Sequence, residues 1–168
     1  GGKLVMESPS QPSGAPGRRR TLEGNLLTFD FDEEGRLAEL QARGRNVTLT
    51  LEPAEGTGEE EKRVITRRFE AFFSPETGEL TEARCSNGVE FYQGSLRAEA
   101  EAGRYDPDIE RMTLTEAPKL WDSSVRLEAE TIQIDVASGN LEAEGAVRTT
   151  FNQEDSSESE SPALFPAS

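Results

Sequence analysis

The amino-acid sequence predicts an all-β, antiparallel fold, on three observations. Apolar residues recur with a period of two, the spacing of a half-buried strand, rather than the 3.6 of a helix. The inward positions of these runs carry β-branched and aromatic residues, which suit a pleated surface. Clusters rich in Gly, Pro, Asp, Asn and Ser separate successive runs, the chemistry of hairpin turns.

Taken in chain order, Gly2-Lys3-Leu4-Val5-Met6-Glu7 reads as a strand and resembles the later segments Gly88-Val89-Glu90-Phe91 and Gly145-Ala146-Val147-Arg148-Thr149-Thr150. It is expected to be the closing strand of a preceding unit. Residues 8–17 are Pro-, Gly- and Ser-rich and read with 1–17 as a strand plus flexible loop, because such a composition buries too little apolar area to offset ordering entropy. Residues 18–153 form the expected domain. Leu22, Gly24 and Leu26 alternate first, and then the parity jumps to Leu27, Phe29 and Phe31. A parity jump turns the inner face outward unless the strand bends, so a bend is expected there, and again where Leu127 and Ala129 give way to Ile132, Ile134 and Val136. Bent strands in consecutive hairpins favour a rolled sheet with two walls.

The turn Asp32-Glu33-Glu34-Gly35 leads to Val47, Leu49 and Leu51, which alternate with Thr48 and Thr50. Leu37, Leu40 and Gln41 would also share one face of a helix over 33–43, but the strand reading agrees with the blocks on either side. A Glu- and Gly-rich loop insertion at 53–61 precedes Phe69, Ala71 and Phe73; the turn at 74–78 precedes Val89 and Phe91; the turn Asp106-Pro107-Asp108 precedes Met112 and Leu114. Ala137-Ser138-Gly139-Asn140 turns the chain towards Leu141 and Val147, and residues 154–168 read as an acidic, Ser-rich tail, with Ala163-Leu164-Phe165-Pro166 as the start of a further unit.

The blocks repeat. A shift of 29 residues sets Ala98-Glu99-Ala100-Glu101 over Leu127-Glu128-Ala129-Glu130, Tyr105-Asp106 over Ile134-Asp135, and Met112-Thr113-Leu114 over Leu141-Glu142-Ala143. Anchoring on Gly35, Gly78 and Gly139 extends the pattern to four strand-turn-strand units. No such unit buries its apolar face alone, so each must stack on the next.

Composition narrows the function. With 18 Lys and Arg against 33 Asp and Glu the net charge is −15, which disfavours nucleic acid, since that affinity comes mainly from cations displacing counterions. With no His and one Cys there is no Ser-His-Asp triad, imidazole zinc ligand or intrachain disulfide. No apolar run approaches the roughly 18–20 residues that cross a bilayer as a helix, so membrane contact is expected only through partners or an anchor outside this sequence.

The run Arg97-Ala98-Glu99-Ala100-Glu101, Tyr105-Asp106-Pro107 and Met112-Thr113-Leu114, followed by Leu127-Glu128-Ala129-Glu130, Ile134-Asp135 and Gly139-Asn140-Leu141-Glu142-Ala143-Glu144-Gly145-Ala146-Val147, resembles the OstA-like repeat of the periplasmic lipopolysaccharide-transport (Lpt) proteins, which include LptA, LptC and the N-terminal domain of LptD. The resemblance covers about residues 18–153. It implies an OstA-like antiparallel β-jellyroll in the periplasm, not an enzyme and without a cofactor, whose apolar interior shields lipopolysaccharide acyl chains on the way from inner to outer membrane. Such domains join neighbouring Lpt-type jellyrolls edge to edge by β-augmentation, and the same edges would allow a homo-oligomer. The candidate lipid-facing lining is Leu27, Phe29, Phe31, Val47, Leu49, Phe69, Ala71, Phe73, Val89, Phe91, Met112, Leu114, Ile132, Ile134, Leu141 and Val147. Small inward residues, Ala98, Ala100, Ala129 and Ala143, favour space between the walls.

The rival reading of the same alternation is a structural β-repeat module of a surface or adhesin-like protein, its core solid. Other features weigh less. Asp30, Asp32 and Glu34 lack the twelve-residue spacing of a calcium loop and read as a solvated turn. Glu99/Glu101 and Glu128/Glu130 belong to an alternating outer face rather than an acid/base pair. Arg18–Arg20 and Arg67-Arg68 read as solvated clusters that phosphate could meet, and Cys85, in the place held by Ala42 one unit earlier, as a small semi-buried side chain.

Overall fold

Every unit of the sequence repeat is a hairpin whose two strands bend half-way along their length. The computed structural model describes residues 2–7, 19–53, 56, 58 and 60–151, and its regular structure is strand throughout. The Pro-rich loop at 8–17, parts of the insertion at 53–61 and the tail from 154 lie outside the described residues.

The strands fall into a simple order. After β1 (Gly2–Glu7), the first bent strand comprises β2 (Arg19–Gly24) and β3 (Leu26–Phe31). Three long strands follow without a break, β4 (Leu37–Leu51), β5 (Lys62–Phe73) and β6 (Leu80–Gln93). The last four bent strands are again in two pieces: β7 (Leu96–Ala100) with β8 (Ala102–Asp106), β9 (Arg111–Thr115) with β10 (Lys119–Trp121), β11 (Val125–Glu128) with β12 (Thr131–Asp135), and β13 (Leu141–Glu144) with β14 (Arg148–Phe151).

All pairings are antiparallel and join chain neighbours. One wall runs β1-β2-β4-β5-β6-β7-β10-β11-β14, and the other runs β3-β4-β5-β6-β8-β9-β12-β13. Strands β4, β5 and β6 belong to both: Thr48–Leu51 pair with β2 in the first wall, and Leu37–Arg43 pair with β3 in the second. The helical alternative for 33–43 therefore gives way to a strand, with Leu40 and Ala42 buried on its inner face.

The bends lie where the parity jumps. Between Leu22 and Leu27 the turn of the chain is at Asn25, whose N–H donates to the Arg43 carbonyl (3.0 Å). Register shifts between Arg43 and Val47 in β4, and between Thr66 and Arg68 in β5, continue the line of bends across the sheet. In β6 the bend passes through Asn87 and Gly88, both with positive φ (64° and 100°), and in the β9–β10 strand through Glu116 and Ala117. In β4, β5, β6 and the β9–β10 strand a register shift or left-handed residues accompany the change of face, which keeps the apolar side inward on both walls. Thr66 ties the centre of this line together: its hydroxyl lies 2.7 Å from the Gly88 carbonyl, 3.1 Å from that of Ser86 and 3.2 Å from that of Arg68.

The second wall ends in four turns, three of them closed through a glycine. The Gly35 N–H donates to the Asp32 carbonyl, Gly78 to Ser74 and Gly139 to Asp135, while Asp32, Ser74 and Asp135 donate their own N–H to the residue after the glycine. Each glycine holds φ near 80°, which explains why the repeat could be anchored on them. The side chains of Asp32 and Asp135 accept from backbone N–H groups within their own turns, which holds both carboxyls below the usual range. Asp32 is thus occupied as a turn cap, not as part of a cation loop.

Candidate functional site

The two walls face each other across an apolar seam. Leu22, Val47, Val64, Val89, Phe91, Ala98 and Leu120 come from the first wall; Leu40, Phe69, Ala71, Ala83, Cys85, Met112, Leu114, Ile132 and Ile134 come from the second, and all are buried. Within the seam, on the side of the turns, lies a cavity of about 80 Å³, lined by residues that include Leu49, Leu51, Val64, Phe91 and Phe73. Small-molecule pockets start near ~300 Å³, so the seam is largely closed as it stands. The small residues Ala98 and Ala100 are buried, and Ala129 and Ala143 are partly buried against the core. They let the walls approach rather than leaving a chamber between them.

Most of the expected lining points into this seam. Val47, Phe69, Ala71, Val89, Phe91, Met112, Leu114, Ile132 and Ile134 are buried, and Leu27, Leu49 and Phe73 are partly buried against the same core. Four residues differ. Phe29 and Leu141 oppose the buried Leu40 and Ile134 and so share their face, yet they are 38% and 41% exposed. The cause is position: among the described residues β3 and β13 are the edge strands of the second wall and have a neighbour on one side only. Phe31, at the rim beyond a bulge in the same edge strand, is 61% exposed. Val147 is 49% exposed because it lies outside the strands, just past Gly145 and Ala146, which both have positive φ. With Phe151 these side chains give each end of the seam an open apolar edge.

Sequence reasoning missed several residues that line the cavity: Arg20, Leu80, Ala83, Tyr105 and Val136. Ala83 and Cys85 are small and do not stand out in an alternation count, but their i, i+2 spacing with the buried Val89 and Phe91 beyond the bend was available. Cys85 is buried, and burial pushes its thiol up to about 12. A thiol raised in the folded state favours folding while it is protonated, so that contribution is present below the unfolded value near 9 and is lost as pH rises from there towards 12. The midpoint of urea unfolding is therefore expected to fall between pH 9 and 11 in the native sequence, and to fall less in Cys85→Ala. Equal slopes would show that the thiol is not the titrating group.

The outer faces are engaged with themselves. Arg97 lies over the rings of Tyr92 (5.4 Å) and Trp121 (5.0 Å), its partners on the flanking strands. Glu82 accepts from Arg84 (2.7 Å) and pairs with Arg104 (2.8 Å), which holds its carboxyl down. Glu128 lies near Lys119 across the first wall and near Arg126 on its own strand. Glu99, Glu101, Glu128 and Glu130 thus alternate with the inward Ala98, Ala100, Leu127 and Ala129 and belong to the outer face, and among the described residues no cluster of acids is arranged to hold a metal ion.

With this geometry in place, comparison with known proteins gives consistent results. Residues 18–140 match the family described as LptA/(LptD N-terminal domain) LPS transport protein. Among solved structures the chain is similar to LptH from Pseudomonas aeruginosa, described as the LptA-homologous periplasmic component of the conserved lipopolysaccharide transport device. The TM-score is 0.59 at 12% identity, over 86% of this chain and 100% of that one. At that identity the likeness speaks for the fold, an LptA-like β-jellyroll. No curated protein matches the chain.

Proposed function

The chain belongs to the LptA/(LptD N-terminal domain) family of lipopolysaccharide-transport proteins, and from that premise we propose that it is a periplasmic, non-enzymatic carrier whose seam shields lipopolysaccharide acyl chains. The observation that carries the reading is the continuous apolar seam between two walls, open at both edges. A protein of charge −15 has no general attraction for an anionic lipid, so affinity must come from burying acyl chains at ~25 cal/mol per Å² of apolar surface. The 80 Å³ cavity is too small for a chain, so loading requires the walls to part. Parting them on the side of the turns leaves the ladders of each wall intact, because the walls share β4, β5 and β6 along the line of bends.

The exposed edges give the second half of the reading. Among the described residues, β1 and β3 at one end and β13 and β14 at the other have no strand paired on their outer side, and exposed apolar side chains lie beside them. A neighbouring jellyroll of the same kind, or a second copy, would continue both walls by β-augmentation and carry the seam onward, as part of a bridge from inner to outer membrane.

Photo-crosslinking tests the shielding. A benzophenone side chain at Phe73 or Ile134 is expected to form an adduct with lipopolysaccharide, whereas one at the outward Arg84 or Thr113 is not. Absence of adducts from every inward position would sink the carrier reading and favour a solid core.

A further inference from the structure

Two cations face the interior, and neither has an ionic partner among the described residues. Arg20 on β2 opposes Leu51 on β4, and Leu51 opposes Lys62 on β5, so the three form one row at the rim of the first wall. Both cations lie two residues from a buried inward position, Leu22 and Val64. Arg20 lines the apolar cavity, and with Lys62 it also lines the adjoining space at the mouth. Lys62 is only 7% exposed and, with Thr66, makes up the buried polar residues among those described. The Thr66 hydroxyl is used at the bend. The Lys62 side chain makes no hydrogen bond or ion pair among the described residues.

The contrast with the next residue is informative. Arg63 points outward and reaches Glu61 at 3.0 Å. Glu52, Glu60 and Glu110 line the same stretch of the mouth as Arg20 and Lys62, yet none of the three forms an ion pair with either cation. Directly opposite Lys62 on β6, the Gln93 side-chain oxygen is buried without a partner. An unpaired charge held against apolar surroundings costs free energy that an arriving counter-ion returns.

Resting on the carrier reading above, we propose that the row Arg20–Leu51–Lys62 is a headgroup site that takes the phosphate of an amphiphile whose acyl chains occupy the seam. The two cations stand about 10 Å apart at the backbone, two strand spacings, within reach of one phosphate between them. Arg20 supplies a planar fork suited to phosphate oxygens and Lys62 a compact charge. The broad negative charge of the protein then repels anionic surfaces in general, while this row holds an anion that arrives with its acyl chains in the seam.

The test compares detergent-dispersed diphosphoryl lipid A with its dephosphorylated form, against the native sequence and the double variant Arg20→Met/Lys62→Met. The native protein is expected to prefer the phosphorylated lipid by roughly tenfold or more, and the double variant to bind both forms alike, at the dephosphorylated level. Lys62→Arg should keep the preference, as should the outward control Arg63→Met. Methionine keeps the chain length and removes a buried charge, so folding is expected to survive; thermal unfolding checks it, and Arg20→Met alone gives the same readout if it does not.

A preference that persists in the folded double variant, or no preference in the native protein while both lipids bind, overturns the headgroup site and leaves the carrier reading standing. Binding of neither lipid overturns both. Inorganic phosphate alone should not bind at millimolar concentration; if it binds the native protein and not the double variant, the row is a free-phosphate site and the headgroup assignment fails.

Discussion

Phe91→Ala is expected to lower the free energy of unfolding by about 3–5 kcal/mol, the range for removing a large buried aromatic side chain. Phe91 is 1% exposed and faces the seam from the first wall, between Val64 on β5 and Ala98 on β7. Truncation removes apolar burial and leaves a void that the sheet cannot close, because its neighbours on both strands are fixed by the ladder. The urea midpoint should drop with an unchanged slope. Binding should move in the opposite direction. Phe91 also lines the cavity, so its loss enlarges the space available before the walls part, and a short-chain amphiphile should bind the variant more tightly than the native protein. In a solid-core module, the same substitution would destabilise with no gain in binding. A loss under about 1 kcal/mol would show that the seam repacks around the gap.

Thr66→Val should cost roughly 1–3 kcal/mol although the shape hardly changes, because it strips a buried carbonyl of its donor. One hydroxyl carries one proton, and the short 2.7 Å contact assigns it to Gly88, with Ser86 and Arg68 as close secondary acceptors. Thr66 is 4% exposed, so water cannot replace that donor cheaply. Thr66→Ser should recover most of the loss, and chemical denaturation of the three proteins side by side measures the difference. If valine proves neutral, the bend carbonyls find other donors and Thr66 is a packing residue only.

The period of two, the glycine-marked turns and the parity jumps were enough to read the walls and the line of bends, because each is a local property: alternation is fixed by the pleat, and a face flip needs a bend wherever it occurs. Leu22 and Leu27 announced the bend at Asn25, and Ala129 and Ile132 the one beside Glu130. Edge effects were not legible in the same way. Phe29 and Leu141 carry the same alternation as Leu40 and Ile134, and what exposes them is that, among the described residues, no further strand lies beside β3 and β13. Nor was the inward row at the mouth visible. Arg20 and Lys62 look like surface residues in an alternation count, since a cation in phase with buried leucines and valines is the exception that such counting averages out. Ala83 was hidden by size rather than by phase, whereas Cys85, matched to Ala42, reads from the sequence as semi-buried and is buried.

The strictly sequential order of the bent strands has a geometric consequence. Among the described residues every bent strand pairs only with the one before it and the one after it, so the seam behaves as a ruler whose length is counted in hairpins. Inserting or deleting one bent hairpin would change that length by about 10 Å, two strand spacings, while leaving each surviving pairing and its register as it was. Span across a gap and the structure that bridges it can therefore be adjusted separately in this architecture: the first by the number of repeats, the second by the residues within each one.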